Sequence, residues 1–119
     1  MAAKATERRK YIIGWLTFPS GTREDFMKLV LPYAAACRAE PGCRFFEMNP
    51  SITDPDVVTF AECFESAEAH AAHHKTPWFE AMWGEINRRC RHGRFENIFP
   101  GRVEPESVDF EDRDREPVT

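Results

Sequence analysis

The chain has 119 residues, 42% hydrophobic and 30% charged, enough for one domain whose core needs neither disulfides nor a structural metal. No apolar run approaches the ~18 residues that cross a bilayer, which argues against a membrane protein. A formal charge of −4 without a basic stripe argues against nucleic acid as a partner, because neutralising phosphates takes clustered Lys and Arg.

Residues 1–10 form a basic arm carrying Lys4, Arg8, Arg9 and Lys10. No apolar stretch with a small-residue cleavage site follows it, so it does not read as a secretory signal, and a cytoplasmic location is expected. Tyr11 to Phe18 (YIIGWLTF) is apolar at nearly every position and ends at Pro19-Ser20-Gly21, a strand followed by a turn. From Thr22 the period changes. Phe26, Leu29, Val30, Tyr33 and Cys37 recur on one helical face, which predicts a helix ending near Glu40 and bent at Pro32, where a backbone hydrogen bond is lost. Pro41-Gly42 stops it, and Cys43 to Asn49 runs extended into a turn cluster at 50–56. Val57 to Phe64 then returns as the third strand. Ser66 is suited to cap a short helix, Ala67 to His74, and Thr76-Pro77 restarts a longer one with Thr as cap and Pro at the first helical position. Gly93 ends that helix, and Arg94 to Phe99 alternates as a fourth strand. After Gly101 the chain holds ten charged residues among 102–119 and reads as a charged, flexible tail. The expected domain is therefore residues 11–100, in the order βαββαβ.

The strands are apolar on both faces. Tyr11, Ile13 and Trp15 alternate with Ile12, Leu16 and Phe18, and Val58, Phe60 and Phe64 with Val57, Ala61 and Cys63. Two helices cover one face of a four-stranded sheet, so the other is expected to pack against a second copy, giving a homodimer through the sheet. The four cysteines, Cys37, Cys43, Cys63 and Cys90, form no CxxC pair and read as small core hydrophobes.

Three ordered stretches carry a more specific signal: Glu40 to Glu47 (EPGCRFFE), Phe60 to Ser66 (FAECFES) and Glu68 to Phe79 (EAHAAHHKTPWF). Together they resemble the antibiotic biosynthesis monooxygenase family, over roughly Tyr11 to Phe99, about three quarters of the chain. The resemblance implies a ferredoxin-like α+β domain with an antiparallel sheet, pairing into a dimeric α/β barrel with one pocket per subunit between sheet and helices. The family includes cofactor-free oxygenases of polycyclic phenols, quinol oxidases, haem-degrading enzymes and isomerases of small metabolites. The haem-degrading branch uses a strand-one asparagine, a helix-two tryptophan and a later axial histidine; strand one here has no Asn, and His73 and Trp83 stand where the latter two would fall.

Matched to the family pattern, His73 is the helix-two histidine and Glu62 the strand-three glutamate, a pair suited to deprotonating a phenol or quinol if the carboxylate orients the imidazole. Phe60, Glu62 and Phe64 share a face by alternation, with Trp15 joining them from strand one, and His70 and Trp83 complete the expected substrate site. His70, His73 and His74 occupy adjacent helical rows, yet no fourth ligand and no HExxH motif accompany them, so no metal is expected. The resulting expectation is a cofactor-independent monooxygenase that oxidises a small aromatic, phenol or quinol with molecular oxygen, with His73 and Glu62 as catalytic groups. Two alternatives stay open: a non-catalytic dimer that binds a small molecule in a stress response, and an isomerase or lyase of a small carbonyl metabolite.

Overall fold

The computed structural model describes residues 8–110. Along them lie β1 (Lys10–Thr17), α1 (Arg23–Met27), α2 (Val30–Arg38), β2 (Cys43–Pro50), β3 (Val57–Phe64), α3 (Ala67–His73), α4 (Pro77–Arg89), β4 (His92–Phe99) and β5 (Arg102–Asp109). All strand pairs are antiparallel, in the order β2-β3-β1-β4-β5. The first four strands and the helices make the ferredoxin-like α+β arrangement, with both helical layers on one face of the sheet. None of the helices among the described residues is long and apolar enough to cross a membrane.

Strand alternation sorts the side chains as the sequence predicts. Ile12 and Leu16 of β1, Phe46 and Met48 of β2, and Val58, Phe60 and Phe64 of β3 point at the helices and are buried. There they meet Phe26, Val30, Ala34 and Cys37 from α1 and α2 and Met82 and Ile86 from α4, forming the core. On the opposite face Tyr11 and Phe45 close over Cys63, their rings 6.2 Å apart. None of the four cysteines forms a disulfide, and all but Cys43 are fully buried.

Three boundaries differ from the sequence reading. The first helix is two: α1 stops at its cap Lys28 and α2 begins at Val30. Lys28 is four residues before Pro32, so its carbonyl is the one the proline ring would strike in an unbroken helix, while Pro32 itself sits in the first turn of α2, where no N–H partner is needed. Gly93 does not end α4, which stops at the extended cap Cys90; Gly93 lies within β4, where an added Cβ would press on the Phe95 ring at 3.1 Å. The segment after Gly101, read as a flexible tail, pairs along the whole of β4 as β5, from Phe99↔Arg102 to His92↔Asp109. Gly101, at φ 90°, makes the tight turn between them, and Phe110 follows β5 into the core, 4% exposed and 5.9 Å from the Trp83 ring. The rest of that expected tail, and most of the basic arm, lie outside the described residues.

Candidate functional site

A cavity of about 290 Å³ opens between the inner face of the sheet and the helices, close to the lower end of the size range of small-molecule pockets. Ile12, Phe46, Met48, Phe60 and Phe95 line its sheet side, and Phe79, Trp83 and Ile86 of α4 its helical side. The aromatic walls support one another: Phe60 and Phe95 lie 5.7 Å apart, and Phe79 stacks nearly parallel to Trp83 at 6.2 Å. The polar groups reaching this space are Tyr33, Glu62, His70, His74, Asn97 and Glu106.

The floor has a local cause. Gly14 pairs with Phe60 across β1 and β3, and the Phe60 ring lies over it so closely that any Cβ at that position would overlap the ring carbons. Without a side chain at Gly14, Phe60 lies flat along the sheet and leaves the cavity above it open.

Glu62 follows Phe60 by two on the same face and is 6% exposed, with its Oε1 3.7 Å from Nε2 of His70. The spacing invites an ion pair, but the environment opposes one. Burial, reinforced by the Glu40 carboxylate and only partly offset by Lys10, pushes the Glu62 carboxyl up to about 8. Burial, then the neighbouring His74, pushes His70 down to about 3. At neutral pH the pair is therefore a neutral carboxylic acid facing a neutral imidazole, too far apart for a direct hydrogen bond. A ligand oxygen beside them meets the carboxylic acid as a hydrogen-bond donor and the His70 ring nitrogen as a second polar partner.

A second array lies behind the helical wall. His73 is 1% exposed, packed 5.0 Å from each of the Phe64 and Phe79 rings. Its Nδ1 lies 2.8 Å from Oε2 of Glu40, and its Nε2 lies 3.4 Å from the Tyr33 hydroxyl. Trp78 Nε1–H also donates to Glu40 Oε2 at 2.8 Å. Indole is only a donor, so this oxygen is acting as an acceptor; that places the His73 proton on Nδ1 and turns the Nε2 lone pair toward Tyr33. Burial holds the Tyr33 phenol far above its ordinary range, so it is a neutral donor. The local sequence builds the array plainly. Ser66 accepts from the Ala69 N–H to start α3, and Thr76 accepts from the Phe79 N–H to start α4 while donating its hydroxyl to the His73 carbonyl at 2.8 Å.

Of the residues singled out in the sequence, Phe60, Glu62, His70 and Trp83 line the cavity. Phe64 and His73 are packed behind it, and the carboxylate that meets His73 is Glu40, not Glu62. Trp15 lies on the other face of the sheet, under the Arg94 guanidinium at 3.9 Å, because it shares parity with Tyr11 and Ile13 rather than with Ile12. Sequence reading missed Tyr33, Glu40, Asn97 and Glu106. Glu40 was hidden in a turn signal and Tyr33 in an apolar helical stripe, while Glu106 fell in the segment read as a tail. Cys37, Glu40 and His73 bring donor atoms within 4.8 Å of one another and are a group that could approach a metal ion. A metal there has to break the His73–Glu40 bond and deprotonate a thiol that burial pushes up to about 12. The residues fit a closed hydrogen-bond network better.

The family model for antibiotic biosynthesis monooxygenases matches residues 11–83. No curated protein matches the sequence. Among solved structures, a conserved protein of unknown function from Bacteroides thetaiotaomicron shares 22% identity over 87% of this chain and 99% of its own, with a TM-score of 0.67. A Caulobacter crescentus protein named for the same family shares 22% over 87% and 91%, with a TM-score of 0.64. PA3566 from Pseudomonas aeruginosa shares 17% over 79% and 95%, with a TM-score of 0.72. At these identities the structural likeness is one of fold.

Proposed function

The chain belongs to the antibiotic biosynthesis monooxygenase family, and from that premise we propose that its pocket oxidises a small aromatic phenol or quinol with molecular oxygen, without a cofactor. The observation that carries this reading is the neutral Glu62–His70 pair set into an aromatic-walled cavity. Flat apolar walls favour a planar ring, and a few polar groups orient it. Glu62 donates a hydrogen bond to the substrate oxygen and stabilises the charge that develops there on ionisation, while His70 accepts from a neighbouring hydroxyl. The electron-rich phenolate is then the reductant for oxygen, and the surrounding rings keep water out.

The outer sheet face supports a homodimer in the same reading. Tyr11, Ile13 and Trp15 form an apolar row there beside Phe45, which is 43% exposed, and two copies packed through these faces bury both rows.

The test is oxygen uptake by protein freed of flavin and metal, offered a panel of quinols and anthrols. Uptake no faster than in buffer, across the panel, defeats the proposal. With an active substrate, Glu62→Leu lowers kcat about 10²-fold by removing the donor, whereas Glu62→Gln keeps a neutral donor and most of the rate. Wild-type activity falls as pH rises through about 8 and Glu62 loses its proton. The Gln variant lacks that alkaline limb.

A further inference from the structure

We propose that Tyr33, backed by His73 and Glu40, is the group that takes the proton from a phenolic ligand in the pocket. This rests on the phenol-oxidising reading above and supplies the base which that reading leaves unassigned.

Glu62 holds its own proton at neutral pH and faces the ligand as a donor, so it is a poor acceptor for the proton that must leave. Tyr33 lines the same cavity. Its ring is fixed edge-on against Phe46 at 5.5 Å, and its hydroxyl lies 3.4 Å from Nε2 of His73. Behind His73 the 2.8 Å bond to Glu40 fixes the tautomer and offers a carboxylate to an imidazolium, and Trp78 holds that carboxylate in place. The chain of contacts is therefore ligand pocket, phenol, imidazole, carboxylate, the order in which a base oriented by an acid operates. The 3.4 Å step is long for a hydrogen bond, as such steps often are before a ligand closes the site. The other titratable groups facing His73 are Cys37 of α2 and the histidines His70 and His74. Cys37 lies within 4.8 Å of the His73 and Glu40 donor atoms, is a hydrogen-bond partner of Tyr33, and is pushed up to about 12 by burial. His70 and His74 have ring centroids 6.0 and 5.7 Å away, and burial keeps both toward neutral.

The proton balance is explicit. The ligand O–H breaks and a new O–H forms on Tyr33 as the original Tyr33 O–H breaks and N–H forms on His73 Nε2. This leaves a phenolate ligand, neutral Tyr33, and an imidazolium against the Glu40 carboxylate. When oxygen adds to the ring carbon it takes two electrons from the phenolate, and the resulting peroxide oxygen recovers the stored proton from His73 through Tyr33. Oxygen is the only co-reactant, and His73 ends in the tautomer in which it began.

The test uses the full chain and 4-nitrophenol, whose phenolate absorbs at longer wavelength than the phenol, at a pH where the free probe is mostly neutral. The wild-type protein holds the probe with an ionised fraction about tenfold above that held by Tyr33→Phe, the equivalent of one pKa unit. Glu40→Gln gives an intermediate value. Tyr33→Phe keeps the ring packed on Phe46, so an unchanged melting temperature shows that the difference is not one of folding. A probe bound only as the neutral phenol, or an ionised fraction that Tyr33→Phe leaves unchanged, overturns the assignment. The two readings fail separately: an ionised probe without oxygen uptake leaves the base in place and removes the oxidation, and oxygen uptake with no effect of Tyr33→Phe does the reverse.

Discussion

Glu62 and His70 titrate in opposite directions, and each sets one limb of the protein's pH stability. The folded chain keeps the Glu62 proton up to about 8, whereas an ordinary carboxyl loses it near 4.5. Folding is thus favoured by the bound proton, and stability falls as pH rises between those values. His70 is the converse: the unfolded imidazole takes a proton near 6.5 and the folded one only near 3, so stability falls as pH drops through that interval. Where the two intervals overlap, between 4.5 and 6.5, the effects oppose each other, and these residues alone place the optimum there. Urea midpoints measured from pH 3 to 9 test this. Glu62→Gln removes the alkaline limb and is more stable than the wild type at pH 9, by on the order of a few kcal/mol, but gains little at pH 4. A Gln variant that tracks the wild-type curve rules out a buried, proton-holding Glu62. Both side chains were legible in the sequence, Glu62 from strand alternation and His70 from its helical row. The partner of His73 was not: Glu40 lies 33 residues earlier, and nothing local in the chain says that the end of α2 docks against α3.

The elements around the pocket make their own predictions. Thr76 caps α4, which carries Phe79 and Trp83, and it also bonds the His73 carbonyl. Thr76→Ala costs about 1 kcal/mol in chemical unfolding from the lost cap. A loss of less than a few tenths shows that α4 is held by its packing alone. Gly14→Ala is a sharper probe of the site. The new methyl drives the Phe60 ring off the sheet and into the cavity, at a stability cost of about 1–3 kcal/mol, and ligand binding falls by more than that loss accounts for. A high-resolution structure of the variant with an unmoved Phe60 defeats the account. Most elements were visible from period and punctuation. β5 was not, because its inward side chains include Glu106 and Glu104, a pattern that reads as solvated chain until a neighbouring strand edge is available to pair with it.

At the largest scale, the proposed homodimer rests on the outer sheet face. Ile13 sits near the middle of that face, between Ala61 and Glu96, and a buried charge there is costly without a partner. Ile13→Glu should turn a dimer into a monomer in sedimentation while leaving the subunit fold, read by far-UV circular dichroism, intact; a wild-type monomer at micromolar concentration removes the dimer proposal. The order of the first four strands, the two apolar sheet faces and the family are legible in the chain alone, because these follow from local period, turn chemistry and ordered motifs. Packing alone brings Phe60, Glu62, His70 and Trp83 into one cavity, sets His73 behind its wall joined to Glu40 and Tyr33, and turns Trp15 away. The reason is physical: a strand's parity tells which residues share a face, but which polar groups meet depends on how separately formed helices pack across the sheet, and that packing joins residues far apart in the chain.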